Sequence, residues 1–195
     1  MLKNKHTIEK MSLEEKISLC SGGSFWETRR YEQYAIPSLF MCDGPHGLRK
    51  QVGEKDHLGL NASIKSTCFP TASAAAATWD EDLLYKMGEA LGEEALSKEV
   101  NIILGPGVNM KRNPLCGRNF EYYSEDPFLS GKLAASWIRG VQSQGVGVSV
   151  KHFAVNNQEL KRMSDFMTVP FTQFIIDSAN GRFWSGLIRF IKNRK

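Results

Sequence analysis

The 195-residue sequence predicts an α/β fold in which short buried strands alternate with amphipathic helices around a parallel sheet. Two observations carry that prediction. Three helices are marked by their N-terminal caps, and between them lie short apolar runs bounded by turn residues. Composition agrees: 42% hydrophobic and 24% charged residues exclude disorder, collagen and a disulfide-dense scaffold. The length suffices for one domain with a core, but is short for a complete (β/α)8 barrel, which takes about 250 residues.

The first helix opens at Ser12-x-x-Glu15, a capping box, with Leu13, Ile17 and Cys20 on one side. Ser38–Cys42 reads as the first strand. The stretch 53–66, rich in Gly and charge and without a clear period, reads as a loop. Thr78-x-x-Glu81 is a second capping box, ahead of Leu83, Leu84, Met87, Leu91 and Ala95 at helical spacing. Asn101–Leu104 is the second strand, with Gly105-Pro106-Gly107 as its terminating turn. Asp126 and Pro127 supply a cap and an N1 proline for a helix carrying Leu129, Leu133, Trp137, Ile138 and Val141. Val146–Val150 is the third strand. All three strands lack polar alternation, as strands buried on both faces do.

After Met163 the texture changes. Residues 168–176 are apolar without order and contain Pro170, and 181–195 can form a basic amphipathic helix with Phe183, Trp184, Leu187, Ile188 and Ile191 on one side. The chain therefore divides into 1–163 and a divergent tail, 164–195. The net charge of +4 comes from five basic residues at or after Arg182, which leaves the rest near neutral and gives no reason to expect a nucleic-acid partner. Cys20, Cys42, Cys68 and Cys116 form no C-x-x-C pair, and His6, His46 and His57 have no ligand spacing, so neither a metal site nor a redox motif is expected. The N-terminus lacks a signal-type apolar core and no run is long enough to cross a membrane, so the expected location is cytoplasmic.

The chemistry gathers where strands end. The first runs into Asp43-Gly-Pro-His-Gly-Leu-Arg49, the second leads to Lys111, Arg112, Arg118 and Glu121, and the third runs into Lys151-His152. Polar groups at the C-terminal ends of parallel strands converge on one mouth, where α/β folds place their sites. Singly, Asp43 reads as a turn former rather than a ligand and Arg118 as a solvated side chain, whereas Lys151-His152 divides evenly between a site and a solvated loop.

The stretches MSLEEKISLCSGG, CDGPHGLR, FPTASAAAATWD, NIILGPGVNMKRNPLCGRNFEYYSEDP and GVGVSVKHFAVNNQELKR together resemble the N-terminal domain of glycoside hydrolase family 3, the β-glucosidase-like enzymes. They stand in family order over residues 8–163, and the fourth and fifth are highly specific. The resemblance implies part of a (β/α)8 barrel, its N-terminal half, here joined to an atypical tail that the family does not predict. It also implies a substrate, a β-glucoside or oligosaccharide, whose terminal sugar is gripped by a charged cluster. Carried over by motif, Asp43 would accept from sugar hydroxyls with Arg49 beside it, Arg118, Lys151 and His152 would donate, and Arg162 would buttress the pocket.

Retaining members use two carboxylates, a nucleophile on a later barrel strand and an acid/base beyond the barrel, so the resemblance implies no metal or organic cofactor, and it places neither carboxylate within this sequence. Ser164-Asp165-Phe166 looks like the nucleophile motif but follows His152 too closely. Half a barrel would expose sheet edges and part of its interior, which predicts poor solubility or a second chain completing it. The expectation is a truncated glycosidase, inactive alone. The alternatives are a non-catalytic sugar-binding remnant and an interaction module whose tail docks on an anionic membrane or a partner groove.

Overall fold

The computed structural model describes residues 4–52, 62–153, 156–157 and 159. Residues 53–61 of the expected loop 53–66, Arg162, Ser164-Asp165-Phe166 and the whole tail 164–195 lie outside the described residues, as does the expected boundary at 163.

The three expected strands form: β1 (Met41–Asp43), β2 (Ile102–Gly107) and β3 (Gly147–Lys151). They pair in parallel in the order β1-β2-β3, with Cys42 opposite Ile103 and Ile103 opposite Val148. Each crossover carries helices, so the fold is α/β with a partial parallel sheet, the arrangement of part of a (β/α)8 barrel. Asn101 stitches the sheet at its start, accepting from the Phe40 backbone N–H at 2.7 Å.

Five helices are present among the described residues. α1 (Lys5–Lys10) and α2 (Leu13–Leu19) precede the sheet, α3 (Ala72–Ala76) and α4 (Glu81–Ser97) join β1 to β2, and α5 (Pro127–Ser143) joins β2 to β3. The Ser12–Glu15 capping box forms as expected. The apolar side of α2, however, faces outward: Leu13 is 66% and Ile17 60% exposed. Asp126 caps α5, accepting from the N–H groups of Phe128 and Leu129.

At α4 the cap is Asp80, which accepts from Leu83 N, and not Thr78. Thr78 stands two residues too early. Its hydroxyl donates to the Ala75 carbonyl at the end of α3 and accepts from Asp80 N. α3 itself, an alanine-rich turn capped by Thr71, is an element that hydrophobic periodicity did not reveal. Four alanines and Ser73 leave no stripe to read.

The core lies between the sheet and the α4–α5 pair. Leu84, Leu91 and Ala95 of α4 meet Leu133, Trp137 and Val141 of α5 over Ile103 and Cys42 of the sheet. Leu83, expected in the same stripe, is 45% exposed. The two helices approach closely because Gly88 and Gly140 carry no side chain. A Cβ at Gly140 would lie 2.0 Å from the Tyr85 carbonyl oxygen.

Two strand expectations need correction. Gly105-Pro106-Gly107 does not end β2 but belongs to it, with a register shift between Leu104 and Gly107 that returns the strand to pairing opposite Lys151. β3 is half-buried rather than buried, and Ser149 is exposed. It is an outer strand of the described sheet.

Candidate functional site

Asp43 is the last residue of β1 and Lys151 the last of β3, two strands apart with β2 between them. Parallel pairing puts these ends on the same rim of the sheet. The Lys151 ammonium donates to Asp43 Oδ1 at 2.6 Å, closing the gap across the end of β2. Arg49 reaches back along its loop to Asp43 Oδ2 at 3.4 Å. That loop is set by a turn in which Gly44 and Gly47 hold φ of +120° and +139°, a region that glycine adopts and side chains rarely do.

The third contribution comes from the loop after β2. A 3-10 turn at Asn119–Glu121 brings Arg118 and Glu121 onto one side, where the Arg118 Nε–H donates to Glu121 Oε1. The second oxygen of Glu121 lies 3.8 Å from the Lys151 ammonium. Three cations and two carboxylates thus form one chain: Arg49, Asp43, Lys151, Glu121, Arg118.

His152 follows Lys151 across a cis peptide bond. Asn109 clamps its backbone, accepting from His152 N at 2.7 Å and donating to His152 O at 3.1 Å. The ring lies between Arg118, with Nη2 2.9 Å from Nε2, and Tyr122, whose hydroxyl is 3.0 Å from Nδ1. A guanidinium can only donate, so Nε2 accepts and Nδ1 carries the proton, which it gives to the Tyr122 hydroxyl. That hydroxyl also accepts from Asn156 Nδ2 at 2.7 Å. Its own proton is left free to donate.

Electrostatics sort the groups. Burial works to raise the Asp43 carboxyl, but the Lys151 charge and hydrogen bond, with Arg49, outweigh it and hold Asp43 below the usual carboxylate value. Burial opposes the charge on Arg118, and the Glu121 carboxylate more than offsets it, so the guanidinium is held more firmly charged. Burial, then the Glu121 charge, push the Tyr122 hydroxyl well up, so it stays a neutral donor. His46, beside Phe120, is pushed down by burial. Among the described residues no group of three or more His, Cys, Asp or Glu could hold a metal ion, and no helix is long and apolar enough to cross a membrane.

The structure therefore brings Asp43, Arg49, Arg118, Lys151 and His152 together at one rim, while Arg162 lies outside the described residues. Glu121, Tyr122 and Asn109 are parts of the site to which sequence reasoning assigned no role. Glu121 stands three residues after Arg118 in the motif, and that spacing was the available signal. Asn109 left none, because its work is on a backbone.

The arrangement offers fixed donors and acceptors in a compact array with cations in excess. Residues 26–178 match the Glycosyl hydrolase family 3 N terminal domain. The chain is 58% identical over 160 residues to thermostable beta-glucosidase B of Acetivibrio thermocellus, covering 82% of this chain and 21% of that protein. It is 51% identical over 161 residues to an exo-alpha-(1->6)-L-arabinopyranosidase of Bifidobacterium longum, covering 80% and 21%. Among solved structures, beta-glucosidase 3B of Thermotoga neapolitana in complex with alpha-D-glucose superposes with a TM-score of 0.69 at 41% identity, over 80% of this chain and 24% of that one. The Kluyveromyces marxianus beta-glucosidase in complex with glucose does so with a TM-score of 0.73 at 37% identity, over 82% and 18%. The chain spans about a fifth of the length of the curated relatives it matches.

Proposed function

The chain belongs to glycosyl hydrolase family 3, and from that premise we propose that its strand-end cluster binds the hydroxyls of a terminal sugar in a β-glucosidase-like pocket. One observation carries the reading: Asp43, Lys151, Glu121, Arg118 and His152 form a continuous bonded array on one rim of a parallel sheet. A sugar presents hydroxyls that both donate and accept, and ionised partners make stronger hydrogen bonds to them than neutral ones. Asp43 would accept from the sugar, Arg118 and Lys151 would donate, Arg49 would hold Asp43, and Arg162 would buttress the pocket. For His152 to donate to a sugar, its Nδ1 proton must leave Tyr122 or its Nε2 must give up Arg118.

In this reading the segment binds and another segment cleaves. Retaining glycosidases need two carboxyl groups about 5–5.5 Å apart, one of them protonated as the acid. Both carboxylates of the cluster are committed to cations, Asp43 to Lys151 and Arg49, Glu121 to Arg118 and Lys151. The nucleophile and the acid would come from a segment beyond this sequence, on the same polypeptide or on a second one completing the barrel. A reducing, cytoplasmic setting belongs to the same reading, supported by four free cysteines.

Titrating the isotope-labelled chain with D-glucose tests it. Shifts centred on Asp43, Arg118, Lys151 and His152, with no release of nitrophenol from p-nitrophenyl β-D-glucopyranoside, are expected. Hydrolysis by the purified chain would overturn the division of labour, and absence of glucose-dependent shifts would overturn sugar binding. L-arabinose is the second probe, because one relative is named for an arabinopyranoside.

A further inference from the structure

Glu121 is the one carboxylate residue in the buried class among the described residues, its side chain 6% exposed. An ionised group so deep is costly unless paired, and an apolar side chain would fill the same volume without that cost. Its carboxylate meets two cations. Oε1 accepts from Arg118 Nε, and Oε2 lies 3.8 Å from Lys151 Nζ.

The geometry of each contact matters. Arg118 is held through Nε, which leaves Nη2 turned to His152. Lys151 is held between two acids, 2.6 Å from Asp43 and 3.8 Å from Glu121. Without Glu121, two cations would share one low-dielectric wall with no counter-charge between them, and like charges there repel. The guanidinium would also lose the bond that fixes its plane.

We propose that Glu121 is a positioning residue of the sugar pocket, its carboxylate fixing the Arg118 plane and the Lys151 ammonium so that both meet sugar hydroxyls already aimed. This rests on the sugar-binding reading above. Glu121 acts through its two neighbours and not on the sugar.

The test compares the full chain with its Glu121→Gln and Glu121→Asp variants in D-glucose titrations, with urea unfolding alongside. Gln keeps the shape and can still accept from Arg118 Nε, but turns an N–H2 toward Lys151. Glucose binding at least about tenfold weaker in E121Q, a larger loss than the change in folding equilibrium, with partial recovery in E121D, is expected. Equal glucose affinity in wild type and E121Q overturns the proposal.

A second measurement needs no variant. In the wild-type chain the Arg118 Nε–H proton resonance should persist at neutral pH and hold its position as glucose is added. Exchange as fast as that of the exposed Arg30 overturns the proposal, including where the variants fail to fold. If wild type shows no glucose binding, the sugar reading falls, and the Nε–H resonance still decides whether Glu121 holds Arg118.

Discussion

Replacing Lys151 with Met removes the cation that closes the gap between β1 and β3 while leaving a stem of similar length. Asp43 then keeps Arg49, at 3.4 Å and itself 47% exposed, and the backbone N–H of Gly44, against the burial that opposes its charge. Stripping one partner from a fully buried ion pair costs about 3–5 kcal/mol. Asp43 is 27% exposed and retains one cation, so solvent and Arg49 reduce that to about 2 kcal/mol, roughly thirtyfold in the folding equilibrium. Urea unfolding at neutral pH measures it.

The pH dependence has a definite sign. In wild type the Asp43 value is depressed, so its contribution is full above the unfolded carboxyl value and is lost as pH falls through the folded one. In Lys151→Met the two largest lowering influences vanish and burial remains, so the Asp43 value rises and the acid-side loss of stability flattens. Carbon-13 titration of the Asp43 carboxyl reads this directly. Adding Asp43→Asn should restore most of the lost stability, because no uncompensated charge is left. An Asp43 carboxyl still below its ordinary value in Lys151→Met, or additive costs in the double variant, would refute the reasoning.

Three further outcomes are expected. Gly140→Ala should destabilise the chain by about 1–3 kcal/mol in urea unfolding, because its Cβ would meet the Tyr85 carbonyl at 2.0 Å, whereas Gly131→Ala, on the same helix with open space around it, should be neutral or gain up to about 1 kcal/mol. Asn109→Ala deletes both bonds to the His152 backbone and should cost about 1–3 kcal/mol, with chemical-shift changes centred on His152 and Tyr122. Iodoacetamide at pH 8 should alkylate Cys20 and Cys68, which are exposed, and spare Cys42, which is buried with its thiol pushed up to about 11 chiefly by burial; modification of Cys42 in the folded chain would contradict that packing.

The helix caps at Ser12 and Asp126 and the three strands were legible because each rests on local chemistry: a short side chain that can reach an orphan N–H, or an apolar run too short for a helix. Thr78 misled for a related reason. Thr78-x-x-Glu81 and Asp80 compete for the same helix start, and the winner depends on how α3 ends, which is tertiary information. The outward face of α2 was equally hidden, since spacing reports a stripe but not what covers it.

At the site, strand-end placement singled out Asp43, Arg49, Arg118, Lys151 and His152, and the motifs assigned their roles and added Arg162. The bonds among them were out of reach. Lys151 meets Asp43 across 108 positions of chain, and Arg118 meets His152 across 34. No local pattern encodes such distances. Glu121 is visible in the motif, but its burial, which gives it meaning, is a property of the folded loop.

The bend in β2 carries a consequence for engineering. A Cβ on Gly107 would fall 2.7 Å from the Glu121 carbonyl and 3.1 Å from the Tyr122 ring, and one on Gly105 would fall 2.9 Å from Pro45. The central strand thus ends in a notch into which the flanking loops settle from either side. Any library that diversifies this rim must keep the notch while it varies the loops. Enlarging position 107 by one methyl group would lift residues 121 and 122 off the strand and reset the spacing of every group they hold. The least reactive residue on the rim is therefore the one that gauges its depth.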